Sequence, residues 1–120
     1  MKKRIRSFGY AFRGIKIVFL SEANMKIHIF ITVLVVISGA VFNISQTEWM
    51  FCLLCVAIVT GAEMMNTAIE NVVDLASPEH HPLAGKAKDI AAGAVLLCAI
   101  ISVIIGLIIF IPKVWHFVAT

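Results

Sequence analysis

Residues 49–75, WMFCLLCVAIVTGAEMMNTAIENVVDL, decide how this chain folds. From Trp49 to Ala62 every residue is apolar or small, and polar residues then enter with no helix breaker before Pro78. A helix is therefore expected to run through Asp74, its first half suited to lipid and its second half to water. In that second half Glu63, Asn66, Glu70 and Asp74 follow at intervals of three, four and four residues. At about 100° per residue they share one stripe of the helix. Ionisable groups at membrane depth are costly and line cavities or pathways, so the stripe marks a functional site. The plainer alternative, a solvated helix end, suits Asp74 far better than Glu63, which sits directly against the apolar run.

Outward from this helix, Ile90–Ile111 is a nearly uninterrupted apolar run of span length, expected to end at Pro112. Upstream, Ile27–Phe42, extendable to Ile44, is a shorter candidate. A polar loop, Asn43–Glu48, separates it from Trp49, a residue favoured at interfacial depth. Nearer the start, Ile5, Phe8, Phe12, Ile15 and Phe19 recur every three or four residues, with Arg6, Arg13 and Lys16 off their stripe. That pattern is an amphipathic helix fit to lie on an anionic membrane surface. The expected fold is an all-α membrane protein, one membrane-embedded domain over 1–120. It has a surface helix over 1–24 and transmembrane helices over 27–44, 49–75 and 90–111. The run Ile15–Leu20 is interrupted by Lys16 and stopped by Glu22, too short for a signal sequence, so the N-terminus is expected to be retained.

Composition agrees. Of 120 residues, 61% are hydrophobic and 14% charged, against about 45–50% and 25% in soluble domains. The length excludes multidomain enzymes. Seven of the ten Lys and Arg residues lie within 1–26 and none lies within 27–85. Such clustering reads as topology and lacks the broad basic face that nucleic-acid binding requires. Three spans put the termini on opposite sides, and the positive charge places the N-terminus in the cytoplasm. Cys52 and Cys55 form a C-x-x-C without a second pair, so these and Cys98 read as packing residues.

Carboxylates on one helix face suit a hard cation, and Mg²⁺ is commonly held by one or two of them together with substrate phosphates. On the same side, Glu79, His80, His81, Lys86, Lys88 and Asp89 fall within eleven residues, expected as a loop. His80 and His81, being adjacent, do not by themselves chelate a metal.

The stretches EMMNTAIENVVDL, Glu63–Leu75, and HHPLAGKAKDIAAGAVLL, His80–Leu97, resemble the signature of the small prokaryotic diacylglycerol kinases and their undecaprenol kinase relatives. Gly9-Tyr10, Arg13-Gly14 and SEANMKIH, Ser21–His28, extend the resemblance over nearly the whole chain. It implies a homotrimeric bundle in a bacterial cell membrane, with active sites shared between subunits. It also implies transfer of the γ-phosphoryl group of ATP, with Mg²⁺, to the hydroxyl of a membrane lipid.

Position by position, the resemblance makes Glu63 the catalytic base, Asn66 its neighbouring amide, and Glu22 and Glu70 the carboxylates that hold Mg²⁺ with the nucleotide. It gives Tyr10, Glu79, His80, His81, Lys88 and Asp89 to the nucleotide. Near the start, Lys3 followed by Arg4 stands where the family often has arginine, so either meets phosphate. Arg13, the segment Glu22–Lys26 and Trp49 fall on the lipid-substrate side, with Glu63. The ending IISVIIGLIIFIPK and the His80 element look more like the undecaprenol kinase branch, with diacylglycerol as the competing substrate. A multidrug-type transporter and a membrane adaptor are the readings outside this class. The first calls for a lone buried carboxylate and usually four spans, and the second leaves the Glu63, Asn66, Glu70 face unexplained.

Overall fold

The computed structural model describes residues 1–120 as four helices: α1 Lys2–Ser21, α2 Ala23–Val41, α3 Gln46–Ala76 and α4 Pro82–Ala119. The last three are long and apolar enough to cross a membrane. α1 carries the amphipathic stripe, and Ile5, Phe8 and Phe12 on it are exposed. The all-α reading with one non-membrane helix and three membrane-crossing helices is thus correct, and the protein is membrane-embedded.

The helix ends differ from the sequence expectations for identifiable reasons. α1 stops at Ser21 because Glu22 turns extended (φ −92°, ψ 121°). Glu22 then serves as N-cap of α2, which begins at Ala23, four residues before the expected start. Asn43, with φ 51°, ends that segment short of Ile44, in a left-handed conformation that asparagine tolerates better than most residues. α3 begins at Gln46 because Ser45 and Glu48 form a reciprocal capping box: Glu48 N–H donates to Ser45 Oγ (3.2 Å) and Ser45 N–H to Glu48 Oε1 (2.9 Å). The S-x-x-E pattern for this is in the sequence.

α4 departs most. It opens at Pro82, so Lys86, Lys88 and Asp89 belong to its first two turns instead of a loop, which shrinks to Ser77–His81. Its N-terminus is built by His81 as N-cap, Nδ1 accepting from Leu83 N–H at 3.0 Å, with proline at the first helical position. At the other end the helix continues through Pro112 to Ala119. Proline removes one backbone hydrogen bond, but side-chain contacts hold the turns beyond it. Lys113 pairs with Glu48 at 2.9 Å. The Phe42 ring sits edge-on between Phe110 (6.4 Å) and Phe117 (6.0 Å), two turns apart on α4.

α4 packs chiefly on α3, while α2 and α1 pack more lightly. A small apolar core of Ile44, Cys52 and Ile109, flanked by Trp49, Phe42 and Phe110, closes the end near the α2–α3 turn. Gly39 admits Trp49 so closely that a Cβ there would lie 2.5 Å from the ring. The three cysteines are free thiols within the helices. Only 11 of 120 residues are buried, so most of the apolar surface of this chain must be covered by lipid or by neighbouring protein.

Candidate active site on the polar half of the second apolar helix

The other end of α3 buries polar groups. Glu63 is 3% exposed, Asn66 7% and Thr67 6%. One turn of helix separates Glu63 from Thr67, whose hydroxyl donates to the Glu63 carbonyl at 3.1 Å. Asn66 Nδ2 donates to Glu70 Oε1 at 3.2 Å, while Asn66 Oδ1 is buried without a partner. A buried orphan acceptor costs free energy and persists where a ligand or solvent completes it. Across from this face, His28 on α2 brings Nε2 to 3.8 Å from Glu63 Oε2. The sequence gives His28 no role of its own, since nothing in local spacing signals a contact between two helices.

Glu22 is half-buried at the α1–α2 joint, between buried Val18 and fully buried Met25. Neither it nor Glu70 forms an ion pair within the chain. Asp74, the last member of the stripe, pairs with Lys88. Asp89 is exposed beside it, as are Glu79 and His80 in the loop before α4. On α1 the Arg13 guanidinium lies over the Tyr10 ring, 5.7 Å from its centroid. Lys3 and Lys26 are exposed at the first turns of α1 and α2. Trp49 is not brought to Glu63: fourteen residues of α3 separate them, about 21 Å of helix.

Beside His28 an apolar cavity of about 210 Å³ opens between α2, α3 and α4, lined by Val56, Val59, Thr60, Ala99 and Val103 among others. The buried carboxylate therefore stands at the boundary between a polar helix end and a lipid-like interior.

Fold and site together define a small helical membrane protein with an acid–amide centre at the edge of its apolar zone. The chain belongs to the prokaryotic diacylglycerol kinase family, which it matches over residues 9–110. It is 44% identical to an undecaprenol kinase of Bacillus subtilis (strain 168), over 94% of this chain and 92% of that one. It is 39% identical to a diacylglycerol kinase of Synechocystis sp., over 88% of this chain and 61% of the relative. Identity to the diacylglycerol kinase of Escherichia coli (strain K12) is 31%, covering 83% and 82% of the two chains. The protein is thus a lipid kinase, a phosphotransferase that acts on a membrane lipid alcohol.

The family carries a dependence on ATP and Mg²⁺, and the donors present fit a hard cation. They are oxygens, the carboxylate of Glu70 and the orphaned Oδ1 of Asn66. No group of three or more His, Cys, Asp or Glu side chains gathers within the chain. One or two carboxylates completed by water and phosphate oxygens describe a Mg²⁺ site better than a self-sufficient protein cage.

Proposed function

We propose that this chain phosphorylates undecaprenol, using MgATP, as a homotrimer with a cytoplasmic N-terminus and an external C-terminus. The observation that carries the chemistry is the burial of Glu63 and Asn66 at the polar end of α3, where Glu63 faces His28, a residue that lines the apolar cavity. A carboxylate at that depth meets the hydroxyl of a lipid whose chain stays among apolar side chains. Glu63 is the general base: it takes the hydroxyl proton as the lipid oxygen bonds to the γ-phosphorus and the bond to the departing ADP oxygen breaks. Asn66, buried one turn after the base with Oδ1 free, holds the metal carboxylate of Glu70 through Nδ2.

Mg²⁺, with Glu22 and Glu70 as its carboxylates, supplies charge neutralisation on the phosphates. Lys88 and Asp89 at the start of α4, Glu79, His80 and His81 in the preceding loop, and Tyr10 and Lys3 on α1 form the nucleotide side. Arg13, Lys26 and the half-buried Glu22 form the headgroup side. Trp49 acts on the lipid chain at the far end of the helix. Support for a trimer is the large apolar surface left by a single chain. Support for undecaprenol is the 44% identity to a relative of that name. Diacylglycerol is the second reading, favoured by the relatives from Synechocystis and Escherichia coli.

The test is transfer of labelled phosphate from ATP by the purified protein in mixed micelles, with undecaprenol and diacylglycerol offered separately. Undecaprenol should label preferentially, and Glu63→Gln should be inactive while still binding nucleotide. Faster labelling of diacylglycerol overturns the substrate, and an active Glu63→Gln overturns the base.

A further inference from the structure

The carboxylate of Glu63 is almost fully buried, yet the neutral donors around it are engaged elsewhere. The Thr67 hydroxyl donates to the backbone carbonyl of Glu63 itself, and the Asn66 amide donates to Glu70. On the facing helix, the Thr32 hydroxyl donates to the carbonyl of His28 at 2.7 Å. What remains against the carboxylate is His28, its Nε2 3.8 Å from Oε2. That separation exceeds a hydrogen bond, and catalytic hydrogen bonds in unliganded sites are often long and tighten when substrate is bound.

His28 is fixed in this position by its own helix. Met25, one turn earlier on the same face, is fully buried and sets the rotation of α2. The imidazole is 19% exposed and its other side lines the apolar cavity, among Val56, Val59 and Val103. In such surroundings an oriented donor acts on a charge more strongly than it does in water.

We propose that His28 is a positioning residue for the phosphoryl transfer, its Nε2–H holding one carboxylate oxygen of Glu63 so that the other faces the lipid hydroxyl. The inference rests on Glu63 as the base. An imidazole donating to a carboxylate fixes the rotation of the carboxyl plane, and a misaligned base loses much of its rate advantage. His28 does not itself receive the substrate proton.

The experiment measures initial rates of the full-length protein in mixed micelles, on undecaprenol and on diacylglycerol, for the wild type, His28→Leu, His28→Gln and Glu63→Gln. Leucine fills the space without a donor, and glutamine restores an N–H at about the reach of Nε2. His28→Leu is expected to lower kcat about 10–100-fold and leave KM for MgATP within about twofold, as expected for a group that acts on the chemical step. His28→Gln is expected to recover to within about threefold of wild type, since it restores the donor. Full activity in His28→Leu, or equal losses in the leucine and glutamine variants, overturns the proposal. If Glu63→Gln is inactive in the same series, such a result removes the positioning role alone. If Glu63→Gln is active, the base assignment falls and takes the proposal with it.

Discussion

The ammonium of Lys88, on the second turn of α4, pairs with the carboxylate of Asp74 on the last turn of α3. Lys88 precedes the apolar run that opens at Ile90, and the hydrogen bond to Asp74 holds its pKa above the ordinary lysine value. The contact joins the stripe of acidic residues on α3 to the segment that the family resemblance gives to the nucleotide. A lysine held this way is presented to solvent as a charged, partly oriented group, ready to exchange a carboxylate for a phosphate oxygen.

Lys88→Met should therefore raise KM for MgATP about tenfold with a smaller change in kcat, because a ground-state phosphate contact is lost. Asp74→Asn should not raise it, since it releases the ammonium without removing it. Initial-rate titrations of ATP at saturating Mg²⁺ check both, and an unchanged KM in Lys88→Met contradicts the nucleotide role.

Glu70 occupies a different place in the same stripe. It accepts from Asn66 and pairs with no cation of its own chain. Glu70→Gln should shift the Mg²⁺ concentration for half-maximal activity upward by about 10-fold or more, as loss of a ligand or its orienting partner does. Titration of Mg²⁺ at fixed ATP reads the shift, and superimposable curves for the variant and wild type remove Glu70 from the metal site.

The α3 stripe was legible in the sequence because a helix converts spacing into a face, and Glu63, Asn66 and Glu70 needed nothing beyond their own segment. The three membrane helices were legible for the same reason, since apolar runs of span length have few alternative uses. What escaped was set between segments. His28 faces Glu63 only because α2 lies across α3 in a particular rotation. The passage of α4 through Pro112 depends on Glu48 and Phe42, more than sixty residues upstream. By contrast, the early start of α4 was visible in principle: His81-Pro82 is an N-cap followed by proline at the first helical position.

Gly39 offers a test of the end opposite the site. A methyl group there would meet the Trp49 ring at 2.5 Å, so Gly39→Ala forces the indole to move. Overpacking of this kind costs about 1–3 kcal/mol, partly offset by the gain of about 1 kcal/mol that alanine has over glycine inside a helix. A net loss of about 1 kcal/mol is expected from these two effects, with a shifted Trp49 emission. Thermal melts in micelles together with fluorescence check it. An unshifted emission spectrum would show that the indole is not crowded.

Glu48 makes the stability of the same end dependent on pH. It lies on the first turn of α3, ahead of the apolar run that opens at Trp49. The Ser45 backbone N–H, and after it the Lys113 ammonium, hold its carboxyl below the ordinary value of 4.5. A carboxyl with a depressed folded pKa contributes stability at pH above its unfolded value and loses it as the pH falls through the folded value. Glu48→Gln can still complete the capping box through its amide oxygen, but it removes the charge that Lys113 meets across the helix interface. The melting temperature of Glu48→Gln should therefore lie a few degrees below wild type at pH 7. That gap should hold down to about pH 5 and close as the pH drops below about 4.5, where the unfolded chain takes up the proton first and the folded carboxyl only at lower pH. Melts of both proteins from pH 7 to pH 3 measure the gap. If it stays constant across that range, the charge of Glu48 does not hold α4 beyond Pro112, and the contact of Phe42 with Phe117 is left to do so.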